Sequence, residues 1–193
     1  MNEENVKSIL LAGVGGQGIL RASDIMCHAL MEAGYDVKKS EVHGMAQRGG
    51  CVTSHVRYGR KVFSPLAEPG KIELLLAFEQ MEALRYLRLL SPDASIILNT
   101  EQINPPAVNM GDMHYPDDIT DLLKSNYPHV VSFDASGLAI EAGSVKAANV
   151  VILGAAANII GIEKSVWEKT IEKSFPPKLI KLNLDAFQKG ITA

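Results

Sequence analysis

The chain has 193 residues, 47% of them hydrophobic and 21% charged, enough for one ordinary domain to bury a core without disulfide or metal staples. Its net charge of -3 excludes a dedicated nucleic-acid binder, whose affinity would come from neutralising phosphates. The two cysteines, Cys27 and Cys51, form no CxxC pair, which excludes zinc and iron-sulfur sites built by this chain alone.

The start, MNEENVK, lacks the basic region and cleavage site of a secretory signal. Ser8 to Ala12 (SILLA) then predicts a strand that stops at Gly13, and Ile19, Ala22, Ile25, Met26 and Ala29 recur at helical spacing up to Gly34. Asp36 to Val42 predicts a second strand, so residues 8–42 read as one βαβ unit with a right-handed crossover. The segment His43 to Gly50 is too short and too rich in glycine for a crossover helix. A strand follows from Cys51 to Tyr58, with Val52, Val56 and Tyr58 on one face and Thr53, His55 and Arg57 on the other.

Further on, the pattern predicts a buried strand over Ile72 to Phe78, a helix over Glu79 to Leu90 closed by Ser91-Pro92, and a strand over Ala94 to Leu98. Residues 99–118 hold Pro105, Pro106, Gly111 and Pro116 and read as a loop-rich excursion. Ile119 to Asn126 predicts a helix, Val130 to Phe133 a strand, and three helices at about 146–160, 164–174 and 178–189 finish the chain. The apolar run Ala147 to Ile162 carries Asn149 and Asn158 and is too short to span a membrane, so it predicts a buried helix. The expected fold is a single α/β domain over residues 1–193, a Rossmann-like three-layer sandwich. Its sheet is mostly parallel, with helices on both faces and a helical C-terminus, and its expected place is the cytoplasm, with no membrane attachment.

Charge is unevenly distributed. Residues 38–61 carry six cations (Lys38, Lys39, Arg48, Arg57, Arg60 and Lys61) against the single acid Glu41, a surplus that either attracts an anionic partner or protects a strand edge.

Two segments carry candidate chemistry. Gly13-Val14-Gly15-Gly16-Gln17-Gly18 matches GxGxxG between a strand and a helix, where glycines permit a tight turn and the helix N-terminus offers free N–H groups to a phosphate. Glu41, at the end of the second strand, could then take the ribose hydroxyls of NAD or FAD; a tight turn without any ligand fits the same residues. In the second segment His43, Gln47 and Arg48 sit among Gly44, Gly49 and Gly50. Arg48 with the bare N–H groups of Gly49 and Gly50 can hold a phosphate or carboxylate, and His43 could titrate near neutrality. Cys51, with no base beside it in sequence, reads as an inert thiol. There is no GDG segment for thiamine diphosphate, no GxSxG, no HExxH and no Walker lysine.

Taken together, GVGGQGIL (13–20), SEVHGMAQRGG (40–50) and SHVRYG (54–59), continued by Lys146-Ala-Ala-Asn149 and Leu153-Gly154, closely resemble the gamma-type subunits of 2-oxoacid:ferredoxin oxidoreductases, and most of all the indolepyruvate branch of that family. The likeness covers nearly the whole chain, and the 40–59 block is far more specific than the glycine motif; Cys51 stands where a serine or another small residue is usual. The resemblance implies a complex that oxidatively decarboxylates a 2-oxoacid, with an aryl pyruvate expected, to its acyl-CoA and reduces ferredoxin. It also implies that thiamine diphosphate, magnesium and the iron-sulfur clusters belong to a larger partner subunit, with CoA as cosubstrate and no cofactor or metal held by this chain alone. The anion, CoA or cofactor contacts would then come from Gly13, Gly15, Gly16, Gln17, Gly18, Gln47, Arg48, Gly49 and Gly50, with His43 as a direct contributor. The competing class is a free-standing NAD- or FAD-binding Rossmann protein.

Overall fold

A computed structural model describes residues 6–43 and 50–193. The SILLA run lies inside strand β1, Lys7–Val14, buried from Ser8 onward. Gly18, at φ 77°, caps helix α1, Ile19–Glu32, whose buried Ile19, Ala22, Ile25, Met26 and Ala29 form one apolar stripe. Strands β2, Asp36–His43, and β3, Cys51–Gly59, pair antiparallel. Strand β4, Ile72–Ala77, helix α2, Gln80–Arg85, and strand β5, Leu90–Asn99, come next. Short helix α3, Pro106–Asn109, and helix α4, Ile119–Asn126, lead to strand β6, His129–Phe133. The chain ends with α5, Ala135–Glu141, α6, Ala148–Ile160, α7, Lys164–Ser174, and α8, Pro177–Ile191.

The sheet runs β2-β3-β1-β4-β5-β6. β1, β4, β5 and β6 pair parallel, whereas β3 is antiparallel to both β1 and β2. The expected α/β sandwich with a mostly parallel sheet and a helical C-terminus is therefore present. The alternation of strand residues separates two cores. Ile9, Leu11, Leu74 and Leu76 pack with α1, α5, α6, α7 and α8, including Trp167 and Phe187. Leu10, Ala12, Leu75, Ile96 and Leu98 pack with Ala83 of α2 and Ile119 and Leu123 of α4. Since α1 and α2 lie on opposite faces, strand order reverses between β1 and β4, the arrangement that opens a crevice at the carboxyl ends of the strands.

Three expectations change. β2 runs in the direction of β1 but is not its neighbour, because the polypeptide turns back after His43 and inserts β3 between them. The helix expected over Glu79 to Leu90 is only Gln80–Arg85 plus a 3-10 turn at Leu87–Leu89, and Ser91-Pro92 lies inside β5. There the register jumps from Ile72↔Leu90 to Leu74↔Ser95, so the proline occupies a bulge that needs no donor. The unexpected α5 begins at Asp134, whose side chain accepts from the Gly137 N–H.

Helix α6 is buried continuously from Asn149 to Ala157, as the sequence predicts. It meets α8 backbone to backbone. A Cβ on Gly154 would lie 2.1 Å from the Phe187 carbonyl oxygen, and one on Gly190 would lie 1.9 Å from that of Val151. Among the described residues no helix is long and apolar enough to cross a membrane.

Candidate functional site

The glycine turn sits at the carboxyl end of β1, beside the strand-order reversal. Gln17 organises it. Its Oε1 accepts the Val14 N–H at 2.8 Å, and its Nε2 donates to the Phe78 carbonyl at 2.8 Å and to Glu101 Oε2 at 3.0 Å. Buried Asn99, at the end of β5, donates to the same Phe78 carbonyl at 3.0 Å and to Glu101 Oε2 at 3.2 Å, while its Oδ1 accepts the Ala135 N–H at 3.0 Å. Ser136 adds a weak 3.4 Å contact to Glu101 Oε2. One network thus ties the ends of β1, β4 and β5 to the start of α5.

This network floors a cleft of about 370 Å³, walled by Gly16, Gly18, Phe78, Val145, Ala148 and Ile152. Larger depressions among the described residues include one of about 660 Å³ between α1 and α7 and one of about 700 Å³ at the amino ends of the strands. Neither combines the reversal point with convergent polar groups, so the smaller cleft is the better site.

The motif glycines have separate reasons. At Gly13 a Cβ would stand 2.6 Å from Gln17 Oε1 and 2.7 Å from Phe78 Cβ; at Gly18, φ 77°, it would stand 2.7 Å from Asn149 Nδ2. Asn149 donates to the Gly18 carbonyl at 3.2 Å, which gives the KAAN stretch a structural meaning. Gly16, φ 105°, has open space where a Cβ would be. Gly15 donates its N–H to the Gly50 carbonyl at 2.9 Å, so the end of the second candidate segment lies against the turn.

His43 and Gly13 flank Val52 from opposite sides. Their backbones are therefore two strand spacings apart, about 10 Å. Gln47, Arg48 and Gly49 lie outside the described residues. Glu41 is opposite Ser54, with β3 between it and β1, and it pairs with Lys39 at 2.6 Å. It therefore does not stand beside the glycine turn as a ribose-binding acid must, which removes the second element of a dinucleotide fingerprint. The basic island is also largely answered within the chain. Lys39 pairs with Asp24 and Glu41, Lys38 and Lys61 pair with Asp36, and buried Arg57 donates to Ser8 and to the carbonyls of Ser64 and Leu66.

Cys51 faces Tyr86 Oη at 2.7 Å, and burial first, then the neighbouring Glu82 carboxylate, pushes its thiol pKa up. An inert thiol agrees with that setting. Sequence reasoning missed Asn99, Glu101 and Ser136. The readable signal for the first two was the polar run Asn99-Thr100-Glu101 directly after the apolar strand IIL, where ligands of open α/β sheets collect.

Comparison with known proteins supplies the rest. The profile of the family described as pyruvate ferredoxin/flavodoxin oxidoreductase matches residues 8–193. The chain is 38% identical over 191 residues to indolepyruvate oxidoreductase subunit IorB of Thermococcus kodakarensis, spanning 96% of this chain and 95% of that one. It is 42% identical over 189 residues to IorB of Archaeoglobus fulgidus, spanning 95% and 92%. The crystal structure of the keto/oxoacid ferredoxin oxidoreductase gamma subunit from Geobacter sulfurreducens PCA matches with a TM-score of 0.72 at 25% identity, covering 96% of each chain.

Proposed function

The chain belongs to the pyruvate ferredoxin/flavodoxin oxidoreductase family and is a subunit of a 2-oxoacid:ferredoxin oxidoreductase; from that premise we propose that its complex acts on indolepyruvate or a related aryl pyruvate, with CoA and ferredoxin as the other reactants. The observation that carries the substrate class is the 38% and 42% identity to two IorB subunits over almost the whole chain. The chain's own residues do not suit the redox groups. Among the described residues no three His, Cys, Asp or Glu side chains gather as metal ligands. Cys27 is buried in α1 while Cys51 is on β3, whereas an iron-sulfur cluster takes four cysteines, or two with two histidines, gathered at one place. Thiamine diphosphate, magnesium and the clusters are assigned to a larger partner subunit, which also meets ferredoxin.

Within that complex the face offered to the partner is the carboxyl edge of the sheet. The Gly13–Gly18 turn and Gly50 meet there, which supports placing the His43 to Gly50 segment beside the composite active site. Arg48, helped by Gln47, Gly49 and Gly50, holds an anion, either a CoA phosphate or a partner carboxylate, and His43 borders the same edge. In kinetics on the reconstituted complex, Arg48→Lys keeps the charge but loses the planar fork, and the expected loss is about 1–3 kcal/mol of binding. A raised KM for CoA alone identifies a CoA contact, and weaker subunit association identifies a partner contact. Wild-type assembly and turnover in Arg48→Ala would make the segment a connector only. Parallel assays with indolepyruvate, phenylpyruvate, 2-oxoglutarate and pyruvate test the substrate class; a preference for pyruvate or 2-oxoglutarate would overturn it.

A further inference from the structure

The sheet has an edge at β2 and an edge at β6, and the sequence treats them differently. β2 carries Lys38, Lys39 and Glu41, the kind of charge with which an edge strand resists pairing with another chain. β6 reads His-Val-Val-Ser-Phe and holds no lysine, arginine or carboxylate. Its one neighbour is β5, in parallel register with Val131 opposite Ile97. The Thr100 N–H donates to the Phe133 carbonyl at 3.0 Å, and this fixes the phase of the ladder. His129, Val131 and Phe133 turn their backbone groups toward β5, whereas Val130 and Ser132 turn theirs outward. Among the described residues no segment meets that outer side. Val131 shares the face of Ile97 and α5, and it is 41% exposed, as Ile140 of α5 is 62% exposed. On the opposite face, where α4 packs with Val130, Leu122 is 43% exposed.

The outward groups are symmetric about Val131, and that symmetry selects the occupant. When a second β6 runs antiparallel to the first, Val130 of each copy lies opposite Ser132 of the other, and each such pair exchanges both of its hydrogen bonds. No outward group of either residue is left over. Val131 then faces Val131 as the non-hydrogen-bonded pair, the closer of the two pair types, and each covers the other's exposed side chain. Pro128, which has no N–H, ends the ladder. The two-fold axis stands perpendicular to the sheet, so like faces adjoin and the elements that carry Leu122 and Ile140 flank the join. On α4 the opposite charges Asp121 and Lys124 stand close in sequence, so two copies meet there without an excess of one sign.

We infer that β6 is the contact between two copies of this chain, which joins two six-stranded sheets into one continuous sheet. β4 and β5 lie between this edge and the glycine turn on β1, so the contact leaves the carboxyl edge of the sheet free. It stands or falls independently of the function proposed above.

The test follows the full chain by sedimentation velocity over a range of concentrations, beside Val131→Lys and Ser132→Pro, with a thermal melt of each. Val131→Lys sets two ammonium groups against each other across the axis, at a position that is exposed in the single chain. Ser132→Pro removes an N–H that β5 does not use, the one kind of proline an edge strand tolerates. Wild type should dimerise, and each variant should melt near wild type while its dimer weakens at least tenfold. A wild-type chain that stays monomeric at every concentration overturns the inference, and so does a dimer that both variants leave intact. Hydrogen exchange on the wild-type chain reads the same contact without any substitution, and it decides the matter if a variant fails to fold. The Val130 and Ser132 amides should slow as the dimer fills; exchange at the monomer's rate in a fully formed dimer would place the contact elsewhere. The variants are also titrated against the purified larger subunit. If the free chain is monomeric and both substitutions weaken that association instead, the edge belongs to the larger subunit and self-pairing is wrong.

Discussion

Gln17 illustrates how one side chain can fix a turn that glycine alone leaves loose. Its three hydrogen bonds involve the Val14 N–H, the Phe78 carbonyl and Glu101. Gln17→Ala strands part of that set, and we expect about 1–3 kcal/mol of lost stability by urea denaturation. Gln17→Glu would place two carboxylates together, so its loss should be larger at pH 7 than at pH 4, where protonation relieves the repulsion. The thiols give a second residue-scale expectation. Burial raises the Cys27 pKa to about 12, and burial with the neighbouring Glu82 carboxylate raises that of Cys51. In the folded chain at pH 8 both thiols should alkylate slowly, and both should react at once after denaturation; a fast thiol on the native protein would contradict the inert assignment.

Among the elements, α6 and α8 depend on two facing glycines. A methyl group at Gly154 or Gly190 collides with carbonyl oxygens of the opposite helix. Gly190→Ala should therefore separate the pair and cost about 1–3 kcal/mol or more, visible as a lower midpoint in chemical denaturation. The sequence announces α6 by its unbroken apolar run and α1 by its helical repeat, since those patterns are local. It does not announce that β3 slips between β1 and β2, because a strand's neighbours depend on where a connection turns, not on its own residues. Ser91-Pro92 misleads for a related reason: proline stops a helix, but at a bulge it sits equally well in a strand. α5 is hidden by Ser136 and Gly137, poor helix formers, and only Asp134 at its cap and the pair Ala135 and Ala139 betray it. At the site, the glycine turn is legible in the sequence. Glu101 is marked only as a polar residue after a buried strand; its part in the network is not legible, because its partners Gln17, Ser136 and Asn99 come from 84, 35 and 2 residues away and meet only when the strand ends align.

For the whole molecule, pH should act in two steps. Burial lowers the His55 pKa, so as pH falls through the unfolded value near 6.5 the unfolded chain takes up a proton that the folded chain resists, and stability declines. Asp36 is held low by the Val62 N–H and Lys38, and Glu32 by Lys173. Their stabilisation is present above the ordinary carboxylate range and lost as pH falls further, so a second decline belongs below about pH 4.5. Thermal melts from pH 8 to pH 3 should show the shallow decline first. Expressed alone, the chain should be colourless and should not oxidise 2-oxoacids until the partner is added; a visible iron-sulfur spectrum from this subunit would overturn the division of labour. The place of α8 has a consequence for folding. It supplies Phe187, which stacks at 5.8 Å from Trp167 inside the larger core, and it covers α6 along its glycine face. Any species in which α8 has not yet docked carries an apolar trough on α6 that invites aggregation. Deletion of residues 177–193 should therefore yield a product that is consigned to chaperones or proteases.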